Sequence, residues 1–286
     1  MTASNRLAVL GQPISHSRSP AIHTAALAEL GLGDEWSYEA IEVAPEDFAA
    51  RVGEMPSEGF VGTNVTVPHK VAALAVADHA SPSAVAIGAA NTLSFADDQI
   101  AAENTDAIGV IDALGRPAKG LRSLILGAGG SARAVVWALV SAGGSVEIWN
   151  RTASAAESLA TELGASAVRP DRTDLSAPAH GYDLIVNATT VGMGAAADRM
   201  DDLKSLPIDV DSLDQTVQVV DLAYGSVDTQ LVRLAKARGA AVVDGLEVLV
   251  RQGAASLRIW TGLEPPIKAM RRAARSAWPT NTDQHT

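Results

Sequence analysis

The sequence predicts an α/β protein with a mostly parallel sheet and room for two domains. Three observations carry that expectation. Short apolar runs alternate with helical stretches at close spacing, as at residues 7–10, 59–66 and 124–126. Such β-α repetition builds parallel sheets buried on both faces. A glycine turn follows the run at 124–126, with Gly127, Gly129 and Ala132 fitting G-x-G-x-x-A. That spacing opens the first helix of a Rossmann dinucleotide-binding domain. The chain has 286 residues, enough for two cores.

Residues 7–10 read as a first strand, running into a hydroxyl-rich loop that holds Ser17 and Ser19. Pro20 suits the start of a helix with Ser19 as its cap. That helix should stop near residue 30, before Gly31 and Gly33. Residues 36–43 read as a second strand, 45–52 as a short helix and 59–66 as a third strand carrying Asn64 and Thr66. Pro68 and His69 lead into a helix at Lys70. Residues 88–95 and 99–102 read as a strand pair around Asp97 and Asp98, with Asn91 on the first. A helix follows from about Asp106, itself a candidate N-cap, to residue 114, and residues 115–120 form a turn-rich break.

In the Rossmann half, the first glycine permits the tight turn and the second lets backbone approach a pyrophosphate. The small Ala132 lets helix and strand pack closely. The phosphates would lie on free N–H groups of the helix starting near Ser131. The next strand, 145–149, ends at Asn150, Arg151 and Thr152 with no acid. A carboxylate there would bond both ribose hydroxyls of NAD. A guanidinium and hydroxyls suit a 2′-phosphate instead, so the expected cofactor is NADP. Asn150 and Thr152 also suit the cap of a helix over 153–163. Further strands are expected at 182–187, 217–222 and 241–243, with helices at 228–238, 245–262 and 265–275. Gln252 lies on the second of these helices. The long polar segment 188–214 has the length of a functional or mobile loop. The tail 278–286 reads as disordered.

Composition excludes several classes. The net charge is −11, from 22 basic and 33 acidic residues. Nucleic acid and anionic membrane both want a basic face, so neither is an expected partner. With no cysteine, disulfides, thiolate metal sites and cysteine nucleophiles are out. The six histidines show no metal-like spacing with carboxylates, and no metal is expected. The first ten residues hold no apolar stretch of signal-peptide length, which reads as a cytoplasmic protein.

The N-terminal half sets Ser17, Ser19, Asn64, Thr66, Lys70, Asn91 and Asp106 at strand–helix junctions. One cation and one anion among uncharged donors and acceptors suit a polyhydroxylated carboxylate. The ordered motifs Gly11-x-Pro-Ile-x-His-Ser-x-Ser-Pro20, Gly62-x-Asn-Val-Thr-Val-Pro-x-Lys70, Gly88-Ala-x-Asn-Thr92, Asn104-Thr-Asp106, Gly127-Ala-Gly-Gly-x-Ala-Arg133, Asn150-Arg-Thr152, Asn187-Ala-Thr189 and Gly245-Leu-Glu-x-Leu-Val-x-Gln252 resemble those of the shikimate dehydrogenase family. The resemblance runs from Gly11 to about Gly262.

It implies a two-domain fold in which the Rossmann domain, 107–240, is inserted into a substrate-binding domain of 1–106 and 241–286, with a cleft between them. It implies reversible reduction of 3-dehydroshikimate to shikimate with NADPH. Lys70 and Asp106 match the family's catalytic pair. Ser17 and Ser19 match its carboxylate-binding serines. Asn64, Thr66, Asn91, Tyr224 and Gln252 match other substrate-binding groups. Gly127, Ala128, Gly129, Gly130, Ser131, Ala132, Asn150, Arg151, Thr152, Ala188, Thr189 and Gly245 match the cofactor-binding positions. Two departures stand out. No further base follows Asn-Arg-Thr before Arg169, which implies a relaxed NADP preference with NAD possible. Tyr224 is followed by Gly225 and Ser226 where the family has proline, which bears on local loop shape. The alternatives are a quinate/shikimate dehydrogenase using NAD and a non-catalytic sensor on the same fold. A monomer and a homodimer are both compatible with the sequence.

Overall fold

The computed structural model describes residues 5–168, 181–193 and 202–276. The expected disordered tail and residues 194–201 of the expected long loop lie outside the described residues.

The chain first builds β1 (Asn5–Gly11), α1 (Ser19–Glu29), β2 (Trp36–Glu42), α2 (Phe48–Glu54), β3 (Phe60–Val65), α3 (Lys70–Ala75), β4 (His79–Ala80), α4 (Pro82–Ile87), β5 (Thr92–Ala96) and β6 (Gln99–Glu103). Their strands form one sheet in the order β2-β1-β3-β5-β6-β4. β1 runs parallel to β2 and β3, while β5 is antiparallel to β3 and β6. The β5–β6 hairpin turns on Asp97 and Asp98, both at positive φ, as the two central residues of a tight hairpin turn require.

α5 (Thr105–Leu114) carries the chain into a second sheet. That half holds β7 (Arg122–Leu126), α6 (Gly130–Ser141), β8 (Ser145–Trp149), α7 (Ala153–Leu163), β9 (Ser166–Ala167), β10 (Leu184–Asn187), β11 (Gln218–Asp221), α8 (Gln230–Ala237) and β12 (Ala241–Val243). All its strands are parallel, in the order β12-β11-β10-β7-β8-β9. The expected boundary at 241 shifts at the level of sheet pairing. β12 bonds to β11 in the second sheet, and the chain returns to the first layer only with α9 (Gly245–Thr261) and α10 (Ile267–Ala274).

The core follows strand periodicity. Leu7 and Val9 pack with α1, α9 and α10, while Ala8 and Leu10 face Phe48, Val52 and Met55. In the second sheet Ile125 packs towards Val135 and Leu139 on α6, and Leu124 and Leu126 face the opposite side. Each central strand is therefore buried on both faces, which explains its unbroken apolar run. α5 crosses α9 closely: a Cβ on Gly109 would lie 2.7 Å from Gln252 Cβ. Only glycine fits there.

Three capping expectations are corrected. Ser19 does not cap α1; it is the first helical residue and Arg18 holds the N-cap position without a side-chain bond. Ser17 Oγ instead accepts from the Ser19 N–H at 3.3 Å. Asn104 rather than Asp106 caps α5, accepting from Ala107 N at 3.3 Å, which leaves the Asp106 carboxylate free for other partners. Thr152 occupies the N-cap of α7 with no side-chain bond, and Asn150 Nδ2 donates to its carbonyl at 3.0 Å.

His23 on α1 is fully buried, with no hydrogen-bond partner on either ring nitrogen among the described residues. It stacks on Tyr38 with centroids 4.2 Å apart. Burial pushes its pKa down to about 3. The unfolded chain then binds this proton first, so stability is lost as pH falls from about 6.5 towards about 3. Asp221, raised to about 6 mainly by burial, works in the opposite sense and offsets part of the loss. His23→Phe keeps the stacking and removes the titration. Urea unfolding at about pH 7.5 and about pH 5 should show the wild type losing about 2 kcal/mol relative to this variant. Equal acid responses would show that His23 does not titrate this way.

Candidate active site

The C-terminal ends of the two sheets' central strands face one cleft, where α/β proteins place their ligands. The cleft holds about 1010 Å³, counting its open mouth. Ser17, Ser19, Asn64, Thr66, Lys70, Asn91, Asp106, Tyr224 and Gln252 all line it, although they lie far apart in sequence. Val110, Val135, Leu222 and Val248 supply its apolar wall.

Lys70 begins α3 directly after the Thr66–His69 turn, where His69 N donates to the Thr66 carbonyl at 2.9 Å. His69 itself is structural: its Nε2 lies 2.8 Å from the Val43 carbonyl and its ring stacks on Phe48. Lys70 Nζ donates to Asp106 Oδ2 at 2.6 Å and to Ser131 Oγ at 3.0 Å. The pair is mostly shielded, with side chains 9% and 15% exposed, so their attraction is stronger than between solvated ions.

Behind the pair lies a buried polar network. Asn91 Nδ2 donates to Asp106 Oδ1 at 2.9 Å and to Gln252 Oε1 at 3.0 Å. Asn91 Oδ1 accepts from Thr105 N at 2.7 Å. Asn64 Nδ2 faces three acceptors: the Asn91 carbonyl at 3.1 Å, Thr92 Oγ1 at 3.2 Å and Ser256 Oγ at 2.9 Å. Asn64 Oδ1 accepts from the Tyr38 hydroxyl at 2.8 Å. Both amides are thereby fixed in orientation, and Asn64 can turn only an acceptor towards the cleft.

At the other end, Ser17 lies beside the Tyr224 phenol and Ser19 beside that of Tyr38. Burial is the largest influence on both phenols and raises their pKa values, while each serine lowers its neighbour's, so both stay protonated across neutral pH. Arg18, between the serines, is buried. Its guanidinium donates to the Ala273 carbonyl at 2.8 Å and to Ser276 Oγ at 2.8 Å, which ties the serine loop to the end of α10.

The opposite wall comes from the second sheet. Gly127 has φ +114°, and a Cβ there would lie 2.9 Å from the Ala188 carbonyl, so the turn after β7 requires glycine. Ala128 and Gly129 complete that turn, and Gly130, Ser131 and Ala132 lie in the first turn of α6. Ser131, Ala188, Thr189 and Gly245 reach the cleft. Asn150, Arg151 and Thr152 follow β8, the strand beside β7. Arg151 is exposed. Thr189 N and Oγ1 donate to Asn187 Oδ1, and Asn187 Nδ2 donates to the buried Asp221 at 2.8 Å. The loops after β10 and β11 are thus joined beneath the cleft.

Three family models match in sequence order. The shikimate dehydrogenase substrate binding domain covers residues 9–93, shikimate / quinate 5-dehydrogenase covers 113–224, and the shikimate 5'-dehydrogenase C-terminal domain covers 245–275. The shikimate dehydrogenase (NADP(+)) of Methanocella arvoryzae is 42% identical over 94% of this chain and 97% of its own. The chain belongs to the shikimate dehydrogenase family. Among solved members, the Thermus thermophilus enzyme in complex with NADP(H) and shikimate is 43% identical. It superposes with a TM-score of 0.82 over 94% of this chain and 98% of that one. The Listeria monocytogenes enzyme in complex with shikimate and NAD is 28% identical, with a TM-score of 0.81 over 94% and 95%.

Sequence reasoning passed over several residues of this family member's site. Thr92 and Thr105 sit inside motifs already singled out, yet their hydroxyls bond to Ser256 at 2.8 and 3.0 Å. Ser256 follows Gln252 by one helical turn on the same face of α9, a signal that could have found it. Tyr38 and Arg18 carried no such signal, because their partners come from distant strands and helices.

Proposed function

We propose that the protein reversibly reduces 3-dehydroshikimate to shikimate with NADPH, in a cleft between a substrate-binding domain and an inserted Rossmann domain. The observation that carries this reading is the Lys70–Asp106 pair at 2.6 Å, set between a wall of amides and hydroxyls and a dinucleotide turn.

The residues present fit the cofactor. The N-terminus of α6 has no side-chain cap, and a Cβ on Gly129 would meet nothing within 4 Å. Free N–H groups beside open space suit a pyrophosphate, and Arg151 suits a 2′-phosphate. Bound NADPH supplies the hydride.

The chain's own groups do the rest. An ammonium has three N–H donors. Lys70 gives two to Asp106 and Ser131, which leaves one for the reacting carbonyl oxygen. That N–H stabilises the developing alkoxide and can deliver the proton. Asp106 holds the ammonium and accepts from the neighbouring substrate hydroxyl. Asn91, itself bonded to Gln252, fixes that carboxylate; both amides border the ring hydroxyls, while Asn64 Oδ1 and Thr66 offer acceptors to them. Ser17, Ser19 and Tyr224 receive the substrate carboxylate.

We read the protein as a cytoplasmic enzyme of a small molecule, working as a monomer or a homodimer. Its net charge of −11 supports neither nucleic-acid nor membrane binding, and no helix among the described residues is long and apolar enough to cross a membrane. The purified chain is expected to form NADPH from NADP and shikimate. No turnover in either direction would overturn the assignment.

A further inference from the structure

Lys70 is held from two sides. Asp106 belongs to α5, but Ser131 belongs to the first turn of α6, within the dinucleotide cradle. The contact extends along the stem: a Cβ on Gly130 would lie 3.1 Å from Lys70 Cβ and 3.2 Å from its Cδ. The glycine turn is thus the floor on which the lysine lies. Ser131 Oγ, 3.0 Å from Nζ, is the atom of that floor that can direct the ammonium.

An ammonium on a four-carbon stem turns freely about its last bonds. One acceptor fixes one N–H and leaves rotation about that hydrogen bond. Two acceptors in different directions remove that rotation and define where the third N–H points. We propose that Ser131 is a positioning residue for the reaction: its hydroxyl, acting with Asp106, aims the third N–H of Lys70 at the reacting oxygen. This rests on the shikimate dehydrogenase reading of the cleft. The serine Oγ is used as an acceptor for Lys70, whereas phosphate binding at a helix N-terminus draws on backbone N–H groups, which any residue at 131 supplies. The orientation of the lysine and the cradle for the cofactor are therefore built from the same turn but use different atoms.

Ser131→Ala and Ser131→Thr separate these roles. For the alanine variant kcat should fall about tenfold, with the KM for shikimate and the calorimetric dissociation constant for NADPH each within about twofold of wild type. In the reduction direction, the primary isotope effect on kcat with deuterated NADPH should rise, because hydride transfer becomes slower against the other steps. The threonine variant, which restores an acceptor at the same atom, should recover most of kcat. A helix-start or phosphate-binding role would instead weaken NADPH binding and leave the isotope effect unchanged, and that result would overturn the proposal. An alanine variant with wild-type kcat would do the same. A wild-type chain inactive on shikimate would refute the underlying reading, which is a separate outcome.

Discussion

Replacing Lys70 with alanine should lower kcat by about 10³-fold and leave NADPH binding unchanged. The size follows from the role proposed for the ammonium: to stabilise alkoxide charge in a shielded cleft and to deliver the proton, each worth about 10²-fold or more. Cofactor affinity is spared because the dinucleotide turn uses backbone N–H groups. The truncation also removes a stem that packs on Gly130 and strands a carboxylate 15% exposed. Lys70→Met preserves the stem and isolates the loss of the ammonium, and should be nearly as inactive. Steady-state kinetics with calorimetric NADPH titration check both variants. Turnover within tenfold of wild type would remove Lys70 from the chemistry.

Asp106→Asn is expected to lower kcat by about 10²-fold despite its equal size. Asp106 accepts at both oxygens, from Lys70 at 2.6 Å and from Asn91 at 2.9 Å. An amide has one acceptor and one donor end. Whichever way it turns, an N–H meets another donor, either the ammonium or the Asn91 amide. The variant therefore loses the ion pair and disturbs the network reaching Gln252 and Thr105. The KM for shikimate should rise as well, because a substrate hydroxyl loses its anionic acceptor. Kinetics on the folded variant, with circular dichroism as control, decide it. An unchanged kcat would show that the carboxylate's charge is not used.

Much of this was legible in the sequence because local chemistry dictates it. The β7 run, the Gly127 turn and the polar residues at strand ends each follow from backbone rules acting over a few residues. What escaped depends on distant contacts. α4 and the two-residue β4 are too short to show periodicity, and Ser81 caps α4 through a single bond to Ala84 N at 3.2 Å. Ser19 reads as a cap, yet the helix begins at that residue and its cap position falls on Arg18. The pairing of β12 with β11 depends on the third dimension, so the sequence alone did not show residues 241–243 in the second sheet. Ser131 reads as a phosphate-cradle residue; its bond to Lys70 joins residues 61 apart in the chain.

The reading of the cleft is tested most directly by comparing kcat/KM for shikimate and quinate, each with NADP and with NAD. The geometry of Ser17, Ser19, Asn64 and Lys70, together with Arg151 after β8, predicts the highest value for shikimate with NADP. With no second cation at residues 153–156 beside Arg151, NAD should retain measurable turnover. A higher value for quinate with NAD would contradict the account.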